Sequence, residues 1–271
     1  MNEIISSKIL DAAEDLAQQF KHGDPFPHVV MENFFVDDVA IFLATKFPTM
    51  DQMPNVFREP MSYKGQLSDI DGKWPEFSEI FRVLQSKETR DFFSKISGIC
   101  NLKDDSILAG GGLHQSPANG FLDLHVDANF HPIDKMMHRR LNLIVYLNRG
   151  WSENWGGDLQ LWSDEKNKPK KLCQSVMPAF NRAVLFATTR TSWHGVGPVN
   201  CPNGNARKSL ALYYYTDTRP ESELYSDSSV IWMGGESAMK RALYPAMNFA
   251  IRILKPYAKY LRRNVFDAAK K

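Results

Sequence analysis

Cysteine is scarce in this chain: Cys100, Cys173 and Cys201 are the only three in 271 residues, widely spaced and odd in number. That excludes a disulfide framework and a cysteine zinc site, and a reducing, cytoplasmic setting fits. An excess of one charge is missing too. Lys and Arg number 33 against 31 Asp and Glu, a formal net charge of +2, so no concentrated basic field argues for a nucleic-acid partner. No uncharged apolar run approaches the roughly 18–20 residues needed to span a bilayer. The first twenty residues are interrupted by Glu3, Lys8, Asp11, Glu14 and Asp15, which excludes the apolar segment of a signal peptide. Repeats and low-complexity segments are absent as well.

What the chain does have is 43% hydrophobic residues, including 17 Phe, 9 Tyr and 6 Trp. This stock fills one sizeable core and suits strand faces and pockets better than disorder. Ile4, Ile5, Ile9, Leu10, Ala13, Leu16, Ala17 and Phe20 recur at helical spacing until Pro25 and Pro27 stop the helix and favour a short strand. Val36–Phe47 and Trp74–Ser97 also read as helical. The Pro-, Gly- and Asp-containing stretch from Pro54 to Gly72 reads as a long loop. Residues 1–100 are therefore expected to be largely helical.

From Ser106 onward the pattern changes to short β-rich runs: Ser106–Leu113, Phe121–Val126, Leu141–Leu147, Leu159–Trp162, Ala183–Phe186 and Leu210–Tyr215. The expected fold class is α+β, mainly β with flanking helices. Its core is a double-stranded β-helix, a jelly roll of the cupin kind, over about residues 105–216, within a single domain 1–235. The mouth of such a roll is a natural place for a metal and a small ligand. The tail 236–271 carries nine Lys or Arg against Glu236 and Asp267. It reads as a basic helical extension, kinked at Pro245 and Pro256, that packs on the domain; the alternative is contact with a membrane surface or an acidic partner.

In His125-Val126-Asp127 the outer two residues share a face of an extended strand, and with a distant histidine such as His194 they would make two imidazoles and a carboxylate, the set that holds ferrous iron with open positions beside it. The triplet alone is weak, because seven His and 31 acids produce one by chance, and a histidine between Trp193 and Gly195 reads on its own as a turn residue. Context carries more. Gly120-Phe-Leu-Asp-Leu-His-Val-Asp127, Arg140-Leu-Asn-Leu-Ile-Val-Tyr-Leu-Asn148 and Trp155-Gly-Gly-Asp-Leu-Gln-Leu161 are followed by three more blocks. These are Pro178-Ala-Phe-Asn-Arg-Ala-Val-Leu-Phe186, Trp193-His-Gly-Val196 and Arg207-Lys-Ser-Leu210 leading into Tyr213-Tyr214-Tyr215. Over roughly Ser106–Thr216 these six blocks, in this order, resemble the prolyl 4-hydroxylase-like branch of the Fe(II)/2-oxoglutarate oxygenases.

The resemblance implies a non-haem dioxygenase using Fe(II), 2-oxoglutarate as co-substrate and O2. It would hydroxylate an unactivated C–H bond with release of succinate and CO2. It implies iron on His125, Asp127 and His194, and the distal carboxylate of 2-oxoglutarate on Arg207. Ser209 would share that strand face, and Tyr146 or Asn142 would give a further polar contact. A carboxylate at Asp127 favours hydroxylation over halogenation, which needs that ligand position vacant. Lys208 rivals Arg207, because residues 200–205 form an insertion. His114 and Phe121 stand where prolyl hydroxylases often have tyrosines, so a peptidyl-proline substrate does not follow. Trp151, Trp155 and Trp162 read as packing residues, and Gly156-Gly157 as a hairpin turn. Arg139, Arg140 and Arg190 read as solvated charges or substrate contacts, His131 and His138 as surface or pocket rim. Two rival functions keep the fold without the chemistry: a metal- or ligand-binding jelly-roll module, and an adaptor acting through the basic tail. Neither the substrate nor the oligomeric state follows from these residues.

Overall fold

The computed structural model describes residues 1–70, 72–224, 230–233, 239–240 and 242–250. The chain opens with α1 (Ser7–Asp11) and α2 (Ala13–Lys21), then β1 (His28–Met31) and α3 (Asp37–Lys46). The hairpin β2 (Asn55–Glu59) and β3 (Ser62–Leu67) follows, then α4 (Pro75–Leu84) and α5 (Lys87–Ser97). The remaining strands are β4 (Gly112–Pro117), β5 (Phe121–Val126), β6 (His138–Tyr146), β7 (Leu159–Asp164), β8 (Pro169–Val176), β9 (Ala183–Ala187), β10 (Trp193–Val196), β11 (Ala206–Thr216) and β12 (Ile231–Trp232).

All pairings are antiparallel, in the order β1-β9-β6-β11-β4-β3-β5-β10-β7-β8, with β12 added to β5 and β2 to β3. The sheet curls on itself because β3 pairs with both β4 and β5 and so joins its two halves. This is the jelly roll expected of the β-rich region. Period-two alternation sets what lies on each side. Leu141, Leu143 and Val145 of β6 and Leu210, Leu212 and Tyr214 of β11 point outward into one core with Leu16 and Phe20 of α2, Phe77 and Phe81 of α4 and Phe93 of α5. Asn142 and Ile144 of β6, with Arg207, Ser209, Ala211 and Tyr213 of β11, point the other way and line a cavity.

The helices fall where the apolar periodicity puts them, but in shorter pieces. Residues 4–20 break at Ala12, and Trp74–Ser97 breaks at Gln85–Ser86, where the Ser86 hydroxyl accepts from Thr89 N and caps α5. The stretch read as a loop is the β2–β3 hairpin. The first β-rich run starts late: Leu108, Gly110 and Gly112 have positive φ, so residues 106–111 turn rather than extend. Strand β8 is an additional edge strand. In the tail, residues 242–250 are helical and lie on the domain. The buried Tyr244 hydroxyl donates to Pro60 O at 3.0 Å and to the Asp123 carboxylate, and Lys240 reaches Asp123 at 2.8 Å. The rest of the basic extension, 251–271, lies outside the described residues.

Candidate active site

His125 lies on β5 and His194 directly opposite on β10, as register partners. Their ring centroids are 4.3 Å apart. Gly195 lets the strands meet this closely, since a Cβ there would stand 2.8 Å from the Leu122 carbonyl oxygen. Asp127, two residues past His125, comes round to the same side. Its Oδ1 is 3.9 Å from His125 Nε2 and its Oδ2 3.7 Å from His194 Nε2. All three side chains are buried, and one ligand atom from each lies within 4.8 Å of the others, a grouping able to hold one metal ion.

The donor chemistry fits such an ion. His125 Nδ1 faces the Asp123 carbonyl at 2.9 Å and His194 Nδ1 faces the Ser192 carbonyl at 2.8 Å. A ring nitrogen facing a carbonyl must donate, so the proton sits on Nδ1 and the lone pair on Nε2, the atom turned toward Asp127. Burial, aided by His194, pushes the His125 pKa down to about 3, which keeps its lone pair free. Burial alone would raise the Asp127 carboxyl, but His194, Arg139, His125 and the Tyr213 hydroxyl outweigh it and hold the pKa below the usual range. Arg139 was expected to be solvated or at the substrate. It is buried, its Nη1 is 3.5 Å from Asp127 Oδ1, and its guanidinium lies 3.9 Å over the Tyr213 ring. Tyr213 donates to the same carboxylate oxygen at 3.2 Å.

The three residues open into a cavity of about 690 Å³ that also holds Arg207, Ser209 and Asn142. Arg207 donates from Nε to Gly157 O at 2.7 Å and from Nη2 to the Tyr146 hydroxyl at 3.2 Å. Asn142 is buried, and its Oδ1 has no hydrogen-bond partner among the described residues. Lys208 points to the opposite side of β11, its Nζ 5.6 Å from the Phe47 ring, so Arg207 is the cation of the pair that lines this cavity.

Several readings change. Gly156-Gly157 is no hairpin turn: Gly156 bridges to Val199, and the Gly157 carbonyl holds Arg207. His131 is buried with Nε2 3.3 Å from Asp105, away from any rim. Arg140 pairs with Glu223 at 3.3 Å, while Arg190 is exposed. Trp162 packs with Leu124, Val126 and Trp193, and Trp151 meets Trp155 edge to face. Three residues near the site were missed: Tyr213, read only as part of a tyrosine run; Trp232, whose ring lies 4.8 Å from that of His125; and Lys64 on β3. The period-two series Ser62, Lys64, Gln66 was the available signal for the last.

A jelly roll that gathers two imidazoles and one carboxylate at its mouth has the donor set of a facial triad, able to hold one metal ion. Residues 111–215 match the family model of the 2OG-Fe(II) oxygenase superfamily. The prolyl 3-hydroxylase OGFOD1 of Mus musculus is 30% identical over 205 residues, which is 73% of this chain and 34% of that protein. Its counterpart in Xenopus laevis is 31% identical over 83 residues, 30% of this chain and 16% of that one. The chain thus spans about a third or less of the length of these curated relatives. In fold it is similar to a Pseudomonas putida prolyl-4-hydroxylase, with a TM-score of 0.52, 19% identity, and coverage of 76% of this chain and 98% of the other. A prolyl hydroxylase of Trichoplax adhaerens gives 0.52 and 16% identity, covering 77% and 90%. Over residues 111–215 the chain is similar to the 2OG-Fe(II) oxygenase superfamily, which is named for 2-oxoglutarate and Fe(II). Among the described residues no helix is long and apolar enough to cross a membrane.

Proposed function

We propose that this chain is a non-haem Fe(II)- and 2-oxoglutarate-dependent dioxygenase that hydroxylates an unactivated C–H bond and releases succinate and CO2. His125, Asp127 and His194 hold the iron; Arg207, Ser209, Tyr146 and Asn142 hold the co-substrate. The observation that carries this reading is the sharing of one cavity by the three convergent ligand atoms and the buried guanidinium of Arg207. A planar two-donor cation matches a carboxylate, and the Gly157 and Tyr146 contacts fix its plane.

Iron, when bound, supplies the oxidising chemistry together with O2 and the keto acid. The protein's own residues orient and shield. The backbone bonds at Nδ1 hold both imidazoles, and Arg139 and Tyr213 hold the Asp127 carboxylate in place. Phe57, Phe130, Pro132, Val230 and Trp232 make the cavity wall apolar, which suits an aliphatic C–H group and excludes water. The OGFOD1 relatives are by name prolyl hydroxylases; for this chain the proposal extends to the reaction and leaves the substrate to a search for products heavier by one oxygen. The free thiols of Cys100, Cys173 and Cys201 support a cytoplasmic setting as part of the same proposal.

The test is iron-dependent conversion of 2-oxoglutarate to succinate. His125→Ala, Asp127→Ala and His194→Ala are each expected to abolish it, and Asp127→Gly to lose hydroxylation as well. Arg207→Met is expected chiefly to raise the KM for 2-oxoglutarate. Full activity in any of the three alanine variants refutes that ligand.

A further inference from the structure

Lys64 is a cation of the cavity that the reading above leaves unused. It stands in the inward row of β3 between Ser62 and Gln66, and all three line the cavity. Its ammonium makes no hydrogen bond or ion pair among the described residues. Burial pushes its pKa down to about 8; Asp127 and Glu59 oppose the shift, and Arg207 adds to it. Lys64 and Arg207 therefore share one cavity, in which the Asp127 carboxylate is already engaged by Arg139 and Tyr213. A further anion would ease the repulsion between the two cations.

The strand register says where that anion belongs. Gly65 pairs with Gln115 of β4 and Tyr63 with Phe121 of β5, so Lys64 stands where β3 passes from one strand to the other, one residue from the Gly65–Gln115 pair. Ser116, next to Gln115, is the register partner of Arg207 on the other side of β4. Lys64 and Arg207 thus stand on the two neighbours of β4 at about the same level of the roll, two strand spacings or roughly 9–10 Å apart at the backbone. Both side chains turn inward from there. His114, next in the inward row of β4 and paired with Gln66 and Ser209, lines the same space with a buried Nε2 that has no hydrogen-bond partner among the described residues. A ligand with acceptor oxygens would take the Lys64 ammonium together with the Arg207 N–H groups left over from its bonds to Gly157 and Tyr146.

We infer that Lys64 is a second anchor for the distal carboxylate of 2-oxoglutarate, closing on it from β3 while Arg207 holds it from β11. This rests on the oxygenase reading and adds to it a binding residue supplied by the β2–β3 hairpin.

The test is calorimetric and independent of turnover. The full chain, loaded with Mn(II), is titrated with 2-oxoglutarate and with 2-oxobutyrate, which keeps the metal-chelating end and lacks the distal carboxylate. Lys64→Met is expected to weaken 2-oxoglutarate about tenfold or more and 2-oxobutyrate by less than about twofold, with Lys64→Arg recovering most of the loss. In Arg207→Met, 2-oxoglutarate is expected still to bind more tightly than 2-oxobutyrate, because Lys64 remains. Unchanged 2-oxoglutarate affinity in Lys64→Met overturns the anchor. Equal losses for the two ligands overturn it too, since they place Lys64 at the metal end or in a purely structural role. Loss of the preference in Arg207→Met does the same without relying on the folding of any Lys64 variant. Failure of the unaltered Mn(II) protein to bind 2-oxoglutarate sinks the oxygenase reading itself.

Discussion

His125 is where acid and fold meet. Its pKa is about 3 in the folded chain because burial disfavours the imidazolium, and His114 is held well below its ordinary value for the same first reason. In the unfolded chain both titrate near 6.5. Below about 6.5 the unfolded chain therefore binds protons that the folded metal-free chain refuses, so stability falls with falling pH until, near 3, the folded His125 is protonated as well. The lowered carboxyl of Asp127 acts in the same direction, but only below about 4, where an unfolded aspartate takes its proton. The urea midpoint of chelator-treated protein is expected to drop between pH 7 and 5, and His125→Gln should flatten that slope. An unchanged midpoint across this range would contradict the burial argument. Tyr213 makes a separate point: its hydroxyl bonds the Asp127 oxygen. Tyr213→Phe is expected to weaken metal binding about tenfold, measured by competition with a chelator, while leaving the ligand set intact.

At the scale of elements, β10 shows how little room the metal site allows. A methyl at Gly195 would stand 2.8 Å from the Leu122 carbonyl oxygen and 3.1 Å from Leu124 Cδ2. Gly195→Ala must therefore push β10 off β5 and carry His194 away from His125. It should cost about 1–3 kcal/mol in chemical denaturation and lose metal affinity along with stability; retained affinity would mean the strands tolerate the shift. The same strands explain what was readable beforehand. Phe121–Val126 and Leu210–Tyr215 announce themselves because their apolar side chains face a core, and His125 and Asp127 could be placed on one face by spacing alone. The β2–β3 hairpin could not. Most of β2 is exposed, and Pro60 and Gly65 interrupt the run, so no apolar alternation survives to mark it. Strand β8, Pro169–Val176, is a mostly exposed edge strand with two lysines, composition that reads as loop. Arg139 looked like a solvated charge because nothing in a linear sequence shows that Asp127 and Tyr213 close over it.

The whole molecule is a roll with helices on the outer face of one half and the cavity inside, and the tail completes the other half. The segment after Glu223 returns to β5, where Ile231 pairs with Val126 and Trp232 with His125. Asn248 then bonds Trp232 on both backbone sides, at 3.2 Å to its N and 2.8 Å from its own amide to Trp232 O. Tyr244 and Lys240 fasten the following helix to Asp123, two residues before the first histidine. Ending the chain at Leu224 leaves all three proposed metal ligands and Arg207 in place but strips the indole from His125 and uncovers the tyrosine-buried seam. Metal should still bind to the shortened chain. Its Tm should fall by several degrees, at about 2–4 °C for each kcal/mol lost in a chain of this size, and a larger share of its 2-oxoglutarate turnover should proceed without substrate oxidation because water reaches the open side of the site. A tail serving only to recruit a partner makes the opposite prediction, an unchanged Tm and unchanged coupling. Scanning calorimetry on the two chains, with succinate measured against substrate consumed, decides between them.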